Sequence, residues 1–522
     1  MGVKAKERPR SITSELALSV PERAMLKIAR CDLLRRSAVK LADKIIYQVL
    51  RRSENPPGVK RDEWLTLRGL AYSFDRAIRR GNISEEALRS FIRFARERLR
   101  PNPIRESFRQ RYGDYPPGFL VVSPGRECNL HCKGCYNGTE GDHAKLPYAT
   151  FSRILREAQE LYGICFIVIS GGEPFAYRSD GKGILDAAEE YPDIYFLVFT
   201  NGTLITEEVA GRMRRLGNIT PAISVEGFAE KTDERRGKGV FDRVLRAFRN
   251  LRQAGVPFGL SMTATRENCD ELLSEEVLDF YFDTQGAMYG WIFQYMPIGR
   301  GYNLDLMVTP QQRLRMQRRM WEVIEQRKVF LMDFWNSGTT THGCLAGGRQ
   351  GGYFYINWNG DVTPCVFVPY AGCNILDIYE RGGNLLELME IDFFKEIRRW
   401  QKSYGYKTKP EETKNLILPC IHRDHFDVLY KLIKEYKPKP INDEAAAALN
   451  DPIYLEGLSA YGRNCAAVLD PVWREEYLQG YGRAMERRAA QPEAREREWE
   501  WVPTADGWRE GGLACRGGQR SR

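Results

Sequence analysis

A chain of 522 residues is longer than one ordinary domain and is expected to form two or three. Its apolar fraction is that of a globular protein. No stretch approaches the ~18 consecutive apolar residues of a membrane-spanning helix, which excludes that class. The formal charge of +9 is uneven, since residues 1–112 carry 27 Lys and Arg against 13 Asp and Glu. Any single Arg there reads first as part of a solvated helical face. As a group they suit an anionic partner: phospholipid headgroups, an acidic peptide or nucleic acid. The opening MGVKAKERPR has no apolar signal core, and Lys6 stands where myristoylation wants Ser or Thr, so the cytoplasm is the expected compartment. Twelve cysteines, several of them clustered and with no signal peptide, point to metal binding rather than disulfides.

The first part of the chain reads as helices. Leu34, Val39, Leu41, Ile45, Ile46, Val49 and Leu50 recur at roughly helical period, and Asn55-Pro56-Pro57-Gly58 interrupts them. A second helix is predicted near Trp64. A third begins at Ser84, an N-cap with Glu85 and Glu86 in the first turn, and Pro101-Asn102-Pro103 stops it. Residues 1–112 thus form a basic helical module. From about 117 strands and helices alternate. The strands are Phe119–Val122, Cys165–Ser170, Tyr195–Thr200, Ala222–Val225, Phe258–Thr263 and Trp291–Met296; helices include Tyr148–Leu161, Glu207–Leu216 and Phe241–Ala254. That alternation predicts parallel βαβ units, an α/β fold with an incomplete (β/α)6 barrel over residues 113–308. Functional residues then belong at the C-terminal ends of the strands. Gly171-Gly172-Glu173-Pro174, Asn201-Gly202-Thr203 and Ser224 to Gly227 all fall there. The two glycines let a ligand approach the backbone closely.

The first strand ends in Ser123-Pro124-Gly125 and leads to Cys128, Cys132 and Cys135, a C-x3-C-x2-C spacing. Thiolates that close on one loop converge on a soft metal centre, usually an iron–sulfur cluster, and three ligands leave one iron of a four-iron cluster open. A structural zinc is the competing reading; it prefers four ligands, and His131 and His143 are the nearby candidates. Residues 309–436 form a further, α+β region. An Arg-rich helix over 309–330 presents a solvated or domain-bridging face. Cys344 follows, then a strand Tyr353–Asn357, a hairpin turn at Asn359-Gly360, and Cys365. Cys373 and Cys420 complete a set of four, with His422 an alternative ligand and zinc an alternative metal. Cys31, Cys165, Cys269, Cys465 and Cys515 read as ordinary cysteines. Lys437-Pro438-Lys439-Pro440 is expected to be a semi-rigid linker opening a helical extension to 490. Residues 491–522 are charged, Gly-rich and low in aliphatics, the composition of a disordered tail.

The three-cysteine spacing, followed one βα unit later by Gly171-Gly172-Glu173-Pro174, resembles the radical S-adenosylmethionine (radical SAM) superfamily. One position departs from its pattern: Gly134 stands where an aromatic residue usually precedes the third cysteine, and Tyr136 follows it instead. The resemblance implies a [4Fe-4S] cluster on Cys128, Cys132 and Cys135 with SAM chelated to its open iron. It implies reductive cleavage to a 5′-deoxyadenosyl radical, hydrogen abstraction from a substrate, and a reductant such as ferredoxin or flavodoxin. By the same resemblance the Gly171 to Pro174 backbone holds the methionine amino group, and Glu173 orders that turn. Ser224 and Glu226 meet the ribose. Arg236 pairs with the SAM carboxylate, which a guanidinium suits. The Cys344 region with its N-G-D-V-x-P-C hairpin resembles the SPASM or Twitch extension of such enzymes. The compact C-x2-C-x5-C-x3-C run of a full SPASM domain is absent, so Cys344, Cys365, Cys373 and Cys420 imply one auxiliary [4Fe-4S] cluster. A peptide or protein is the leading substrate class; sulfatase maturation is disfavoured because Val366, not an acidic residue, follows Cys365. The alternative is a lipid or isoprenoid chain, with residues 1–112 resting peripherally on an anionic membrane. A non-catalytic metal- or nucleic-acid-binding scaffold leaves the Gly-Gly-Glu-Pro turn unexplained, and no specific nucleic acid is expected.

Overall fold

The computed structural model describes residues 20–138 and 143–480. Short apolar runs form seven strands: β1 Leu120–Val122, β2 Phe166–Ile169, β3 Tyr195–Thr200, β4 Ile219–Val225, β5 Gly259–Ala264, β6 Tyr289–Gln294 and β7 Phe330–Asp333. They pair in chain order and all in parallel. A parallel sheet is covered on both faces, which is why these strands are apolar throughout rather than alternating. Helices Tyr148–Tyr162, Glu207–Leu216 and Val240–Ala254 are among the crossovers, and the first and third bury Phe151, Ile154, Val244 and Phe248. The sheet is strongly curved. Phe199 of β3 and Phe293 of β6 have ring centroids 5.4 Å apart. Strands three places apart in a flat sheet would stand ~14 Å from each other. The fold is the expected partial barrel, with one strand more than the sequence suggested.

That strand is β7. The Arg-rich stretch before it is the helix Pro310–Arg327, opened by a Thr309/Gln312 capping box. Instead of presenting only a solvated or bridging face, it is the crossover to β7 and buries Met316, Met320, Trp321, Val323 and Ile324.

The N-terminal helices close the barrel from below. Ser84 is the N-cap expected, its hydroxyl accepting from Ala87 N at 3.2 Å. On the helix Glu85–Leu99, Phe94 lies 5.4 Å from Tyr195 and 5.9 Å from Phe166, the first residues of β3 and β2. Phe91 meets Tyr195 too, and Phe74 of the helix Pro57–Arg79 packs at a tilt on Phe91 with ring centroids 3.7 Å apart. Ser73 Oγ accepts from Phe330 N at the start of β7, 2.9 Å away. Asp62 on the same helix is fully buried and accepts from Thr339 Oγ1 at 2.8 Å.

Beyond β7 the chain returns to β1. Strand β8 (Tyr355–Ile356) adds in parallel to β1, and β9 (Asp361–Thr363) returns antiparallel to β8 through the expected Asn359-Gly360 turn. Tyr370–Ala371 (β10) and Cys373–Asn374 (β11) follow, and β11 pairs with β9. Lys439–Pro440 (β12), read from sequence as linker, pairs antiparallel with β10, and Lys439 Nζ sits 3.3 Å from Asp361. The helix Pro452–Val472 packs on Pro310–Arg327 and Phe426–Tyr436. The tail expected over 491–522, and Cys515 in it, lie outside the described residues. No helix among the described residues is long and apolar enough to cross a membrane.

Candidate active site

The loop bearing Cys128, Cys132 and Cys135 leaves the C-terminal end of β1, and all three cysteines are half-buried. Burial pushes the Cys128 thiol up to about 11, with the Cys132 and Cys135 charges adding to it. Main-chain bonds from several directions hold the loop. Gly172 N donates to Gly125 O at 3.1 Å and Glu173 N to Glu127 O at 2.8 Å. A Cβ on Gly172 would collide with Glu127 O. The Gly-Gly turn is therefore explained by its close approach to the cysteine loop, whereas the sequence suggested a ligand alone. Lys133 N donates to Arg235 O at 2.9 Å, and Arg300 N to Cys135 O at 3.1 Å. Gly134 adopts φ +62°, and the ring of Tyr295 from the end of β6 occupies the space beside it. Tyr136 bonds Ser170 Oγ at 2.5 Å. His131 is exposed on the same loop, as is His143 beyond it.

Glu173 is buried and bonds both its own turn and the next. Its Oε1 accepts from Phe175 N (3.1 Å) and Thr200 Oγ1 (2.6 Å), and its Oε2 from Asn201 N (2.8 Å). Burial still raises its pKa, against the pull of those three donors. Pro174 opens a short 3-10 turn, Pro174–Ala176. Asn201 in turn reaches Asn129 Oδ1 at 2.9 Å and Cys128 Sγ at 3.8 Å. Ser224 pairs in register with Ser261, and Ser261 with Trp291, two residues before Phe293. Side chains two apart share a face, so Ser224 lies on the concave side of the sheet.

Glu226 and Arg236, expected to meet opposite ends of SAM, hold each other. Arg236 Nε and Nη2 donate to the two Glu226 oxygens at 2.5 and 2.6 Å, a bidentate pair. Arg235, which the sequence reading passed over, adds a third bond at 2.5 Å. Burial alone would raise the Glu226 pKa, but the two guanidiniums outweigh it and the net shift is downward. Both arginines also act on Cys132, whose thiol burial raises and they pull back.

The second set is assembled from distant positions. Cys344, Cys365 and Cys420 line one cavity with Tyr353, Trp335 and Phe367. Burial raises the Cys365 thiol, Cys344 and Cys420 raise it further, and Tyr353 Oη lies 2.9 Å from its sulfur. Cys373 is not brought to this cavity. Its charged surroundings are Arg381, Glu387, Asp361 and Asp377, with no cysteine among them, and burial pushes it up to about 12. His422 also lines the cavity and is fully buried. Its Nδ1 donates to Phe367 O, its Nε2 lies 3.3 Å from Tyr454 Oη, and burial lowers its pKa to about 4.

One aromatic wall separates the two sets. Tyr136, next to Cys135, meets Phe367 at 6.5 Å, and Phe367 meets Trp335 at 4.9 Å and Phe293 at 5.9 Å. No pattern along the chain marks this wall, because its members come from four separate segments. Among the described residues no three His, Cys, Asp or Glu side chains converge tightly enough to clasp a single metal ion. A cubane cluster takes each thiolate on a different iron, so its ligands stand further apart than those of tetrahedral zinc. Half-buried thiols and an unpartnered, buried Trp335 Nε1 on the second cavity fit such a cluster.

The sequence profile described as the Radical SAM superfamily matches residues 122–274, from the end of β1 to the loop after β5. Mycofactocin maturase MftC of Mycolicibacterium smegmatis is 31% identical over 290 residues, which cover 53% of this chain and 71% of that protein. The chain belongs to the radical SAM superfamily. AdoMet-dependent heme synthase of Methanosarcina barkeri is 26% identical over 283 residues, covering 48% of this chain and 76% of that protein. Among solved structures, Streptococcus suis SuiB bound to precursor peptide SuiA is 20% identical, covers 60% of this chain and 73% of its own, and has a TM-score of 0.48. As a radical SAM enzyme the protein uses a [4Fe-4S] cluster and SAM, and it carries an auxiliary-cluster domain after the barrel.

Proposed function

We propose that this radical SAM enzyme modifies a peptide or protein chain. The observation that carries the reading is the 31% identity over 71% of MftC, a maturase by name. Bacillus subtilis SkfB, a sporulation killing factor maturation protein, supports it at 24% identity. A cluster with bound SAM supplies a 5′-deoxyadenosyl radical. On this reading Cys128, Cys132 and Cys135 hold that cluster, and electrons come from a reductant such as ferredoxin or flavodoxin. The Gly171 to Pro174 backbone receives the methionine amino group. Ser224 and Glu226 face the ribose, and Arg236 turns toward the SAM carboxylate while Arg235 keeps Glu226 paired. Cys344, Cys365 and Cys420 hold the auxiliary cluster. Phe199, Phe293 and Phe367 line the space between the two sites and keep water from a substrate radical.

The similarity to AdoMet-dependent heme synthase supports a second reading, a tetrapyrrole substrate. A lipid chain has less support, because no relative named here acts on one and two of the basic helices, Pro57–Arg79 and Glu85–Leu99, pack under the barrel, although Leu33, Leu34, Leu41 and Val49 on Asp32–Arg51 are exposed. The test is anaerobic turnover of the reconstituted enzyme with SAM, reductant and fractionated extracts. A mass change in a peptide, matched to 5′-deoxyadenosine, supports the proposal. Turnover confined to the tetrapyrrole or lipid fraction overturns it.

A further inference from the structure

Three residues beyond Cys420, Arg423 is fully buried. A guanidinium stays charged in any protein environment. Its Nη2 donates to Tyr461 Oη at 2.5 Å, and its plane lies over the rings of Trp335 and Tyr461, 5.3 and 5.0 Å from their centroids. Nε and Nη1 have no partner. Asp424 feels its charge but is already committed, with both oxygens on Arg313 and one also accepting from Cys420 N at 3.0 Å. Arg313 is equally buried yet satisfied, with Asp424, Asn336 and the Ile417 carbonyl as partners. A buried cation with two idle donors is costly unless an anion stands beside it.

The surroundings indicate where that anion belongs. Trp335, under the guanidinium, lines the cavity with Cys344, Cys365 and Cys420, and its indole N–H makes no hydrogen bond of normal geometry. The Arg423 amide donates to Cys420 Sγ at 3.3 Å. The Arg423 guanidinium thus stands behind Trp335, which lines the cavity, while its own amide bonds the Cys420 sulfur.

We propose that Arg423, seated on Trp335, is a positioning residue that compensates the negative charge of the iron–sulfur centre held by Cys344, Cys365 and Cys420 and raises its reduction potential. This rests on the reading of that cavity as the auxiliary site. Fixed positive charge and hydrogen bonds near the sulfurs stabilise the more negative, reduced state. The substrate radical would then give up its electron to a better acceptor.

The experiment is a redox titration followed by electron paramagnetic resonance, on the full chain with Cys128, Cys132 and Cys135 changed to Ala so that only the second site contributes. Arg423→Gln should retain its iron and titrate at a more negative potential. At the parent's midpoint its reduced-to-oxidised ratio should fall about tenfold, equivalent to 59 mV for one electron. Arg423→Lys, which keeps the charge, should stay near the parent, and Trp335→Phe should shift the same way by less. An unchanged midpoint in Arg423→Gln overturns the proposal. Should that variant lose its iron, Trp335→Phe decides: a lowered midpoint upholds the proposal and an unchanged one overturns it. A parent without iron in the second site defeats the auxiliary reading itself, a result distinct from an unmoved potential.

Discussion

The first cysteine set comes from a single loop between Cys128 and Cys135, and its shape is kept by main-chain bonds from the turns around it. The second draws Cys344, Cys365 and Cys420 from three places and depends on side-chain packing around Trp335 and Phe367. Their electrostatics differ in the same sense. Arg235 and Arg236 beside the first set are paired with Glu226, whereas Arg423 beside the second has idle donors. The first site is thus a rigid local motif beside a neutralised charge. The second is a tertiary cavity whose charge balance waits on what it binds.

The largest effect should come from removing the first set. With Cys128, Cys132 and Cys135 all changed to Ala, 5′-deoxyadenosine should fall to the blank. Iron should drop from about eight to about four atoms per chain, as expected for one of two four-iron clusters lost. SAM cleavage at the parental rate would remove the distinction between the sites.

Single changes in the second set sharpen the comparison. Cys420→Ala should lose the auxiliary iron, while Cys373→Ala should keep it, because only Cys420 faces Cys344 and Cys365. Iron analysis and ultraviolet–visible spectra of the two purified variants decide this; equal losses would put Cys373 back among the ligands.

Smaller effects are expected where a paired charge is broken. Arg236→Ala should weaken SAM binding by ten- to a hundredfold, the ~1.5–3 kcal/mol of a hydrogen bond to a charged group. Glu173→Ala should do similar harm by freeing three buried donors. Equilibrium dialysis with labelled SAM reads both; full affinity in both variants would mean that neither the turn nor the arginine bears on SAM.

The smallest effect is a pH dependence set where an N-terminal helix meets the second region. Burial raises the Asp62 pKa to about 7, against the pull of Arg61. Its carboxyl bonds Thr339, just before Cys344. The unfolded chain ionises near the ordinary aspartate value of 3.8 while the folded chain keeps the proton, so stability should fall as pH rises from about 4 to about 7 and then level off. Thermal melts of Asp62→Asn should lack that slope. A wild-type curve flat across the window would show that Asp62 is already ionised in the fold.

Local features of the molecule were legible from the residues. The six expected strands sit within a few residues of their places, since each is a short apolar run between turn signals. Strand β7 escaped notice because it has only four residues and follows a helix whose arginines mask its buried Met316, Met320 and Trp321. The cysteine loop could be read because its ligands are close in sequence. Cys373 and Cys420 look alike in the chain; the short strand β11 carries Cys373 away from the cavity, and only the fold shows it. The Glu226–Arg236 pair was missed for a related reason, as both residues had been assigned to a ligand and not to each other.

The floor of phenylalanines bears on how the chain is made. Phe74, Phe91 and Phe94 leave the ribosome long before Tyr195, the strand residue that Phe91 and Phe94 cover. Until β3 is synthesised the nascent helices carry an apolar patch with nothing to bury it, the kind of surface that aggregates or recruits chaperones. Final docking of these helices comes after the sheet has formed, so biosynthesis of this enzyme should be sensitive to translation speed and to chaperone supply even where the finished protein is stable.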